Sequence, residues 1–250
     1  MYRFLREPKW LAFLLLGLVG AVAMPRLGLW QIDRYHLRQS ENVRISQRER
    51  APAVPLRDVV KDAETTADTT DDEWKIVTVT GTYDAKHQVL IANRSFEGQP
   101  GYHVVTPLTF ATDQAVLINR GFVRYETTVG GPLPEAPPTS GVVTVTGRIR
   151  LTQIKGGIGP KDPAKGELKE MARVDIGRIA QQTPARLSPV YLELIAEAPT
   201  SVLPLATIAA PKQDASTNIS YAVQWFIFTA VGLITWPLII RREASKRRSS

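Results

Sequence analysis

The chain contains no cysteine. That excludes structural disulfides, thiolate metal centres and copper delivery through thiols, and it leaves the redox compartment undetermined. Histidine is nearly as scarce, with three residues, and none stands at a metal-ligand spacing from another. No serine sits in a nucleophile elbow, and no Gly-rich loop follows a strand to cradle phosphate. "GQPG", Gly98 to Gly101, lacks a strand-to-helix context and reads as a turn. The chain is therefore read as a non-enzyme, with a site of scattered carboxylates as the remaining enzymatic alternative. Acidic residues are outnumbered, 24 against 31 Lys and Arg, for a net charge of +7. The excess lies mainly in the two tails and beside the apolar runs, so no nucleic-acid partner is needed to explain it.

Two long apolar runs are present. Tyr221 to Ile240 carries no formal charge and, at about 1.5 Å per helical residue, spans roughly 30 Å, a bilayer core. Pro237 lies near its far end, where a kink is tolerable. "WLAFLLLGLVGAVAM", Trp10 to Met24, is shorter, but Arg26 can snorkel and "LGLW" extends it to Trp30. A cleaved secretory signal is the competing reading of this run. A retained helix is favoured, because the aromatic and apolar pattern continues past any cleavage point and a second span follows. Arg3, Arg6 and Lys9 precede the first run; Arg241, Arg242, Lys246, Arg247 and Arg248 follow the second. Basic flanks at both ends predict cytoplasmic tails and an extracytoplasmic middle. The short stretch before the first run, with no Arg/Ser-rich presequence, points to a bacterial plasma membrane rather than an organelle.

Between the runs the pattern changes twice. "WQIDRYHLRQSENVRISQRER" sets Arg34 and Arg38 one turn apart and reads as a helix leaving the membrane surface. "DVVKDAETTADTTDDE" is acidic and threonine-rich, a solvated loop rather than a metal site. The period then falls to two in "WKIVTVTGTYD", "QVLIANRSF", "GYHVVTPLTF", "AVLINRGFVRYE" and "GVVTVTGRIRL", with "VYLELI" as a sixth strand. In "VVTVTGRIRL", Val143, Val145, Ile149 and Leu151 alternate with Thr144, Thr146, Arg148 and Arg150, which predicts one wet face. "VLIANR" and "VLINRG" echo each other, as two strands ending in similar turns would. "KGGIGPKDPAKGELKE" is expected to be a mobile loop, "DIGRIAQQT" a short helix, and the Pro-rich stretch from Ala198 an extended return. The predicted layout is a tail at 1–9, a membrane helix at 10–30, a β-rich domain at 31–220, a second membrane helix at 221–240 and a basic tail at 241–250. The fold class is two transmembrane α-helices flanking a mostly antiparallel, small barrel-like β domain with short helical additions.

Asn119, Arg120 and Gly121 stand out, because an Arg inside a strand needs a partner. Arg120 is either a structural residue closing a turn or a guanidinium aimed at a carboxylate of a partner or a porphyrin propionate. "LGLWQIDRYHLR" after the first span, "ANRSFEGQPGYHVVTPL", "VLINRGFV" and "YAVQWF" opening the last span occur in one order. In that order they resemble the Surfeit locus protein 1 family, the cytochrome c oxidase assembly factors, from about Leu27 to Arg242. The resemblance implies a non-enzymatic role: support of haem a insertion into the largest oxidase subunit, with haem a as transient cargo. It implies partners in that subunit, in haem a synthase and in the lipid bilayer. It also directs attention to Trp30, Gln31, Arg34, Arg94, Asn119, Arg120, Tyr221, Gln224, Trp225 and Phe228 as haem or partner contacts. Tyr221, Gln224 and Trp225 could wall a porphyrin or form an interfacial aromatic belt. The family pattern puts a histidine, a natural axial ligand, where Asn218 stands here, so direct iron ligation at that point is in doubt. His36 is the substitute, or a plain surface residue. Residues 218, 221, 225 and 228 are expected to share one helix face. A scaffold for oxidase subunits without haem, and a generic membrane-tethered binding module, are the rival readings.

Overall fold

The computed structural model describes residues 3–60, 65–125, 136–154, 159–201 and 205–249. The chain forms two units, Met1–Arg44 with Pro211–Ser250, and Ile45–Ala210. Four α-helices and eight strands are described: α1 (Pro8–Arg50), β1 (Val54–Pro55), α2 (Leu56–Val60), β2 (Ile76–Tyr83), β3 (Val89–Phe96), β4 (Gln99–Ala111), β5 (Gln114–Arg124), β6 (Val142–Leu151), β7 (Glu170–Met171), α3 (Ile176–Ala180), β8 (Arg186–Ala198) and α4 (Ser216–Ser249).

The first unit is a helical hairpin. α1 runs for 43 residues without a break at the end of its apolar stretch. Nothing between Leu29 and Arg50 is Gly or Pro, and the helix stops just before Pro52, where the residue ahead of a proline leaves the helical region. Each of α1 and α4 contains a window of mean hydropathy 1.9 or 1.8, of which 6% and 0% is buried in protein. A soluble core helix would be covered; these apolar faces are bare and suit a bilayer. The helices approach closely where α1 has no side chain. A Cβ on Gly17 would lie 2.3 Å from the Trp236 indole nitrogen, and one on Gly28 would lie 2.9 Å from Phe226 Cζ. Trp236 in turn stacks on Phe13 at 4.2 Å.

The second unit is a closed five-stranded barrel in the order β2-β6-β8-β5-β4, with β4 returning to β2 through Thr82↔Thr109 and Tyr83↔Leu108. All pairs of the ring are antiparallel except β5 with β8. β3 lies outside the ring on β4, and β7 on β3. The alternate residues Val77, Val79, Val116, Ile118, Val145 and Leu192 fill the interior, and Leu56 of α2 packs with them. A second cluster on the outer wall joins Ile91, Val105, Leu117 and Tyr191 to Met171 and to Ile179 of α3. β5 is thus buried on both faces, which is why "AVLINRGFV" reads as a continuous apolar run rather than an alternating one.

The structure corrects four expectations. The "NR" echo marks β-bulges, not turns: register slips between Ile91 and Arg94 on β3, and Arg120 is the extra residue between Asn119 and Gly121 on β5. The turn proper is Glu97–Gly98, both at positive φ, which suits the twist of the β3–β4 hairpin. In the acidic stretch, Thr66–Asp72 is a 3-10 helix with Thr69 buried, and 61–64 lie outside the described residues. The segment read as a mobile loop is tied down in its described part: Arg178 donates to the carbonyls of Pro163 (2.8 Å) and Gly166 (2.6 Å). The outer face of β6 is not wet at Arg148. Its guanidinium pairs with Glu193 (3.1 Å) and with Glu49 at the end of α1 (2.7 Å). Arg150 continues the chain to Glu193 (2.9 Å) and Glu73 (3.3 Å) and lies over the Trp74 ring.

Candidate functional site

α4 begins where Asp214 accepts hydrogen bonds from the Ser216 backbone (2.9 Å) and hydroxyl (2.6 Å), capping the first turn. The next residues meet polar side chains of α1 spaced along one helical face. Asn218 Nδ2 donates to Gln31 Oε1 at 2.8 Å, and its Oδ1 accepts from Arg38 at 2.8 Å. Arg38 also donates to the Asp214 carbonyl at 3.0 Å, and Asn42 exchanges two hydrogen bonds with the Gln213 backbone. Asn218 is 8% exposed, with both ends of its amide engaged within the protein. It is a clamp between the helices, at the position for which the sequence resemblance implied a histidine.

The expected face of 218, 221, 225 and 228 divides. Asn218 and the buried Ala222 point into the seam with α1, whereas Tyr221 and Phe228 are 49% and 52% exposed. The reason is geometric: at 100° per residue, positions 218, 222, 225 and 229 centre on the seam, and 221 and 228 fall on its flank. Trp225 is half-buried between them and meets Phe228 edge-on at 6.1 Å. The result is an aromatic stripe beside a polar clamp. Gln224 is exposed, as is Trp30, over whose ring the Arg34 guanidinium lies at 5.9 Å. His36 is exposed and meets the Tyr35 ring edge-on at 5.4 Å. Farther along the hairpin a groove of about 940 Å³ opens between the helices, lined by Gly20, Met24, Thr229, Gly232, Leu233 and Arg241.

The remaining predicted residues belong to the barrel. Neighbours on β5, Asn119 and Arg120 face opposite walls. Arg120 is 3% exposed; it donates to the carbonyls of Ala136 (2.8 Å) and Pro137 (2.9 Å) and to Gln88 (3.2 Å), and lies over the Tyr83 ring. Tyr83 in turn donates to Glu197 at 2.9 Å, and burial pushes its hydroxyl well above the ordinary range. Of the two readings of Arg120, this geometry favours the structural one. Asn119 faces outward, its Nδ2 3.3 Å from His103 Nδ1. Burial and the nearby Arg94 push His103 down to about 4, so the ring is neutral at pH 7. Arg94 donates from one terminal nitrogen to Gln153 Oε1 and to the Ala172 carbonyl, both at 3.3 Å. His103 was not singled out from the sequence; the signal available was its place in "GYHVVTPL", between two stretches that carry Arg94 and Asn119.

Two bilayer-length helices at the ends of a chain whose middle folds as a five-stranded barrel define a two-span membrane protein with a compact β domain. Comparison with known proteins narrows this. A model of the SURF1 family matches residues 18–230, and the chain belongs to the SURF1 family, whose members are generally cytochrome c oxidase assembly factors. Uncharacterized SURF1-like proteins from Mycobacterium bovis and Mycobacterium tuberculosis are 30% identical over 247 residues, covering 98% of this chain and 88% of the relatives.

Proposed function

We propose that this protein supports haem a insertion into the largest subunit of a haem–copper oxidase, working from a bacterial plasma membrane with both tails cytoplasmic and the barrel outside. The observation that carries the reading is the aromatic stripe of exposed Tyr221, half-buried Trp225 and exposed Phe228 on a membrane helix, directly beside a polar clamp. A plain anchor needs no such stripe; a flat apolar macrocycle with polar edges fits it. The residues fit the porphyrin face better than the iron. Asn218 is occupied with Gln31 and Arg38, so an axial ligand has to come from elsewhere, His36 or the partner. Haem a synthase is a natural second partner, as the source of the cargo.

Deletion of the gene, in a strain without a paralogue, is expected to lower assembled oxidase and its haem a while haem b enzymes persist. Normal oxidase haem a would reject the reading. The occupied amide of Asn218 favours one alternative, a scaffold that holds oxidase subunits without touching haem. An absorbance spectrum of the detergent-purified protein from cells making haem a separates the two. Copurified haem a, lost in Tyr221→Leu and Trp225→Leu, supports the carrier; oxidase subunits without haem support the scaffold.

A further inference from the structure

Arg94 is a half-buried cation with no carboxylate partner among the described residues. Its two hydrogen bonds leave from the same nitrogen, go to neutral amide oxygens and are long. Its Nε and other terminal nitrogen have no protein partner among the described residues. A guanidinium removed from water without an anion is a costly arrangement, which a carboxylate in the fork geometry relieves. Arg173, close enough to disfavour the charge on Arg94, adds to the local positive potential.

The register brings a second donor to the same wall. Arg94 pairs with Gly101 and Ile91 with His103, so the Arg94 and His103 side chains leave adjacent strands on the outer face. Asn119 Nδ2 donates to His103 Nδ1, which puts the ring proton of the neutral imidazole on Nε2. Asn119 Oδ1 is buried without a partner among the described residues, so the tie to His103 is the one hydrogen bond of its side chain. Asn119 is thus a positioning residue that holds the ring and leaves His103 Nε2–H as its donor. Beside both, Phe122 lies over Gly101, where a Cβ would be 2.6 Å from its Cζ, and Phe96 packs against Phe122 at 5.7 Å.

We propose that Arg94 and His103, set by Asn119, form a carboxylate-binding site on the outer wall of the barrel, with Phe96 and Phe122 as its apolar flank. Its ligand is a carboxylate attached to an apolar body, either a porphyrin propionate or an acidic side chain of a partner protein. The site lies wholly within the β domain, on β3, β4 and β5, and stands apart from the reading of the membrane helices.

The three histidines of the chain make the test clean. Full-length protein in detergent, labelled with ¹⁵N in its imidazoles and assigned with His103→Gln, is titrated with propionate at pH 7. The His103 resonances are expected to shift saturably while those of His36 and His87 stay in place. Arg94→Gln is expected to weaken the response at least about tenfold, as loss of a charged hydrogen bond does, and Arg94→Lys to restore part of it. The His87 signal, from a ring bonded to Asp84, reports that each variant is folded. The source is read with an iron porphyrin diacid against its dimethyl ester, and with a Glu-containing peptide against its Gln counterpart. A response to either acid alone supports the site and names the source. No saturable shift with propionate, the diacid or the acidic peptide, or an undiminished shift in folded Arg94→Gln, overturns it.

Discussion

Arg94 and Arg120 share a local sequence, an Asn-Arg pair at the end of an apolar run, and end in opposite circumstances. Arg120 is extra at its bulge and turns into the end of the barrel, onto two carbonyls and Gln88. Arg94 stays on the outer wall with one edge unpaired among the described residues. The echo was legible in the sequence; the bulges behind it were not, because a bulge is a mismatch with β4 and neither strand carries that information alone. Arg120→Ala strands buried acceptors and is expected to cost about 2–4 kcal/mol in denaturant unfolding. Arg120→Lys should recover little of it, since one ammonium cannot reproduce the fork. His103 gives a pH dependence. Its folded pKa of about 4 lies below the ordinary histidine value, so between about 6.5 and about 4 the unfolded chain takes a proton that the folded one refuses. The barrel is therefore expected to lose stability as pH falls through that window, by about 1–3 kcal/mol. The unfolding midpoint of His103→Gln, measured over the same pH range, should fall less.

Among the elements, those with their own period were readable: the two apolar helices, the alternating strands and the short helix after Asp175. What escaped was contact between distant segments. Glu49, unremarkable in an arginine-rich helix end, pairs with a residue 99 positions away. Asn218 looked like a lost ligand, and only the proximity of Gln31 and Arg38 shows it to be a clamp. The hairpin supplies a contrast of glycines. Gly17→Leu would drive a side chain into the Trp236 indole, whereas Gly20 has nothing nearer than the Met24 methyl of its own helix, at 3.7 Å, and Gly232 has nothing within 4 Å. Thermal unfolding in detergent is expected to show Gly17→Leu clearly destabilised and Gly20→Leu and Gly232→Leu close to wild type. Equal midpoints for all three would refute the seam.

For the whole molecule, the basic ends predict that 31–220 is outside and both tails are inside. The cysteine-free chain permits a direct check with an impermeant thiol reagent on intact cells. Ser140→Cys is expected to be labelled and Ser249→Cys to be protected; the reverse pattern would invert the topology. The ring order of the barrel has one more consequence, for how the protein is made. β8 is the last strand among the described residues, and it is the stave between β5 and β6, parallel to one and antiparallel to the other. Until residue 198 has been synthesised, β5 and β6 each present a bare backbone edge, the kind that pairs with whatever strand is near. Closure brings together segments far apart in the chain, a slow class of folding event. The nascent domain thus remains an open sheet through most of its synthesis and closes only as the second apolar helix follows from the ribosome. Substitutions that weaken β8 should accordingly lower the yield of protein more than they disturb the molecules that succeed in folding.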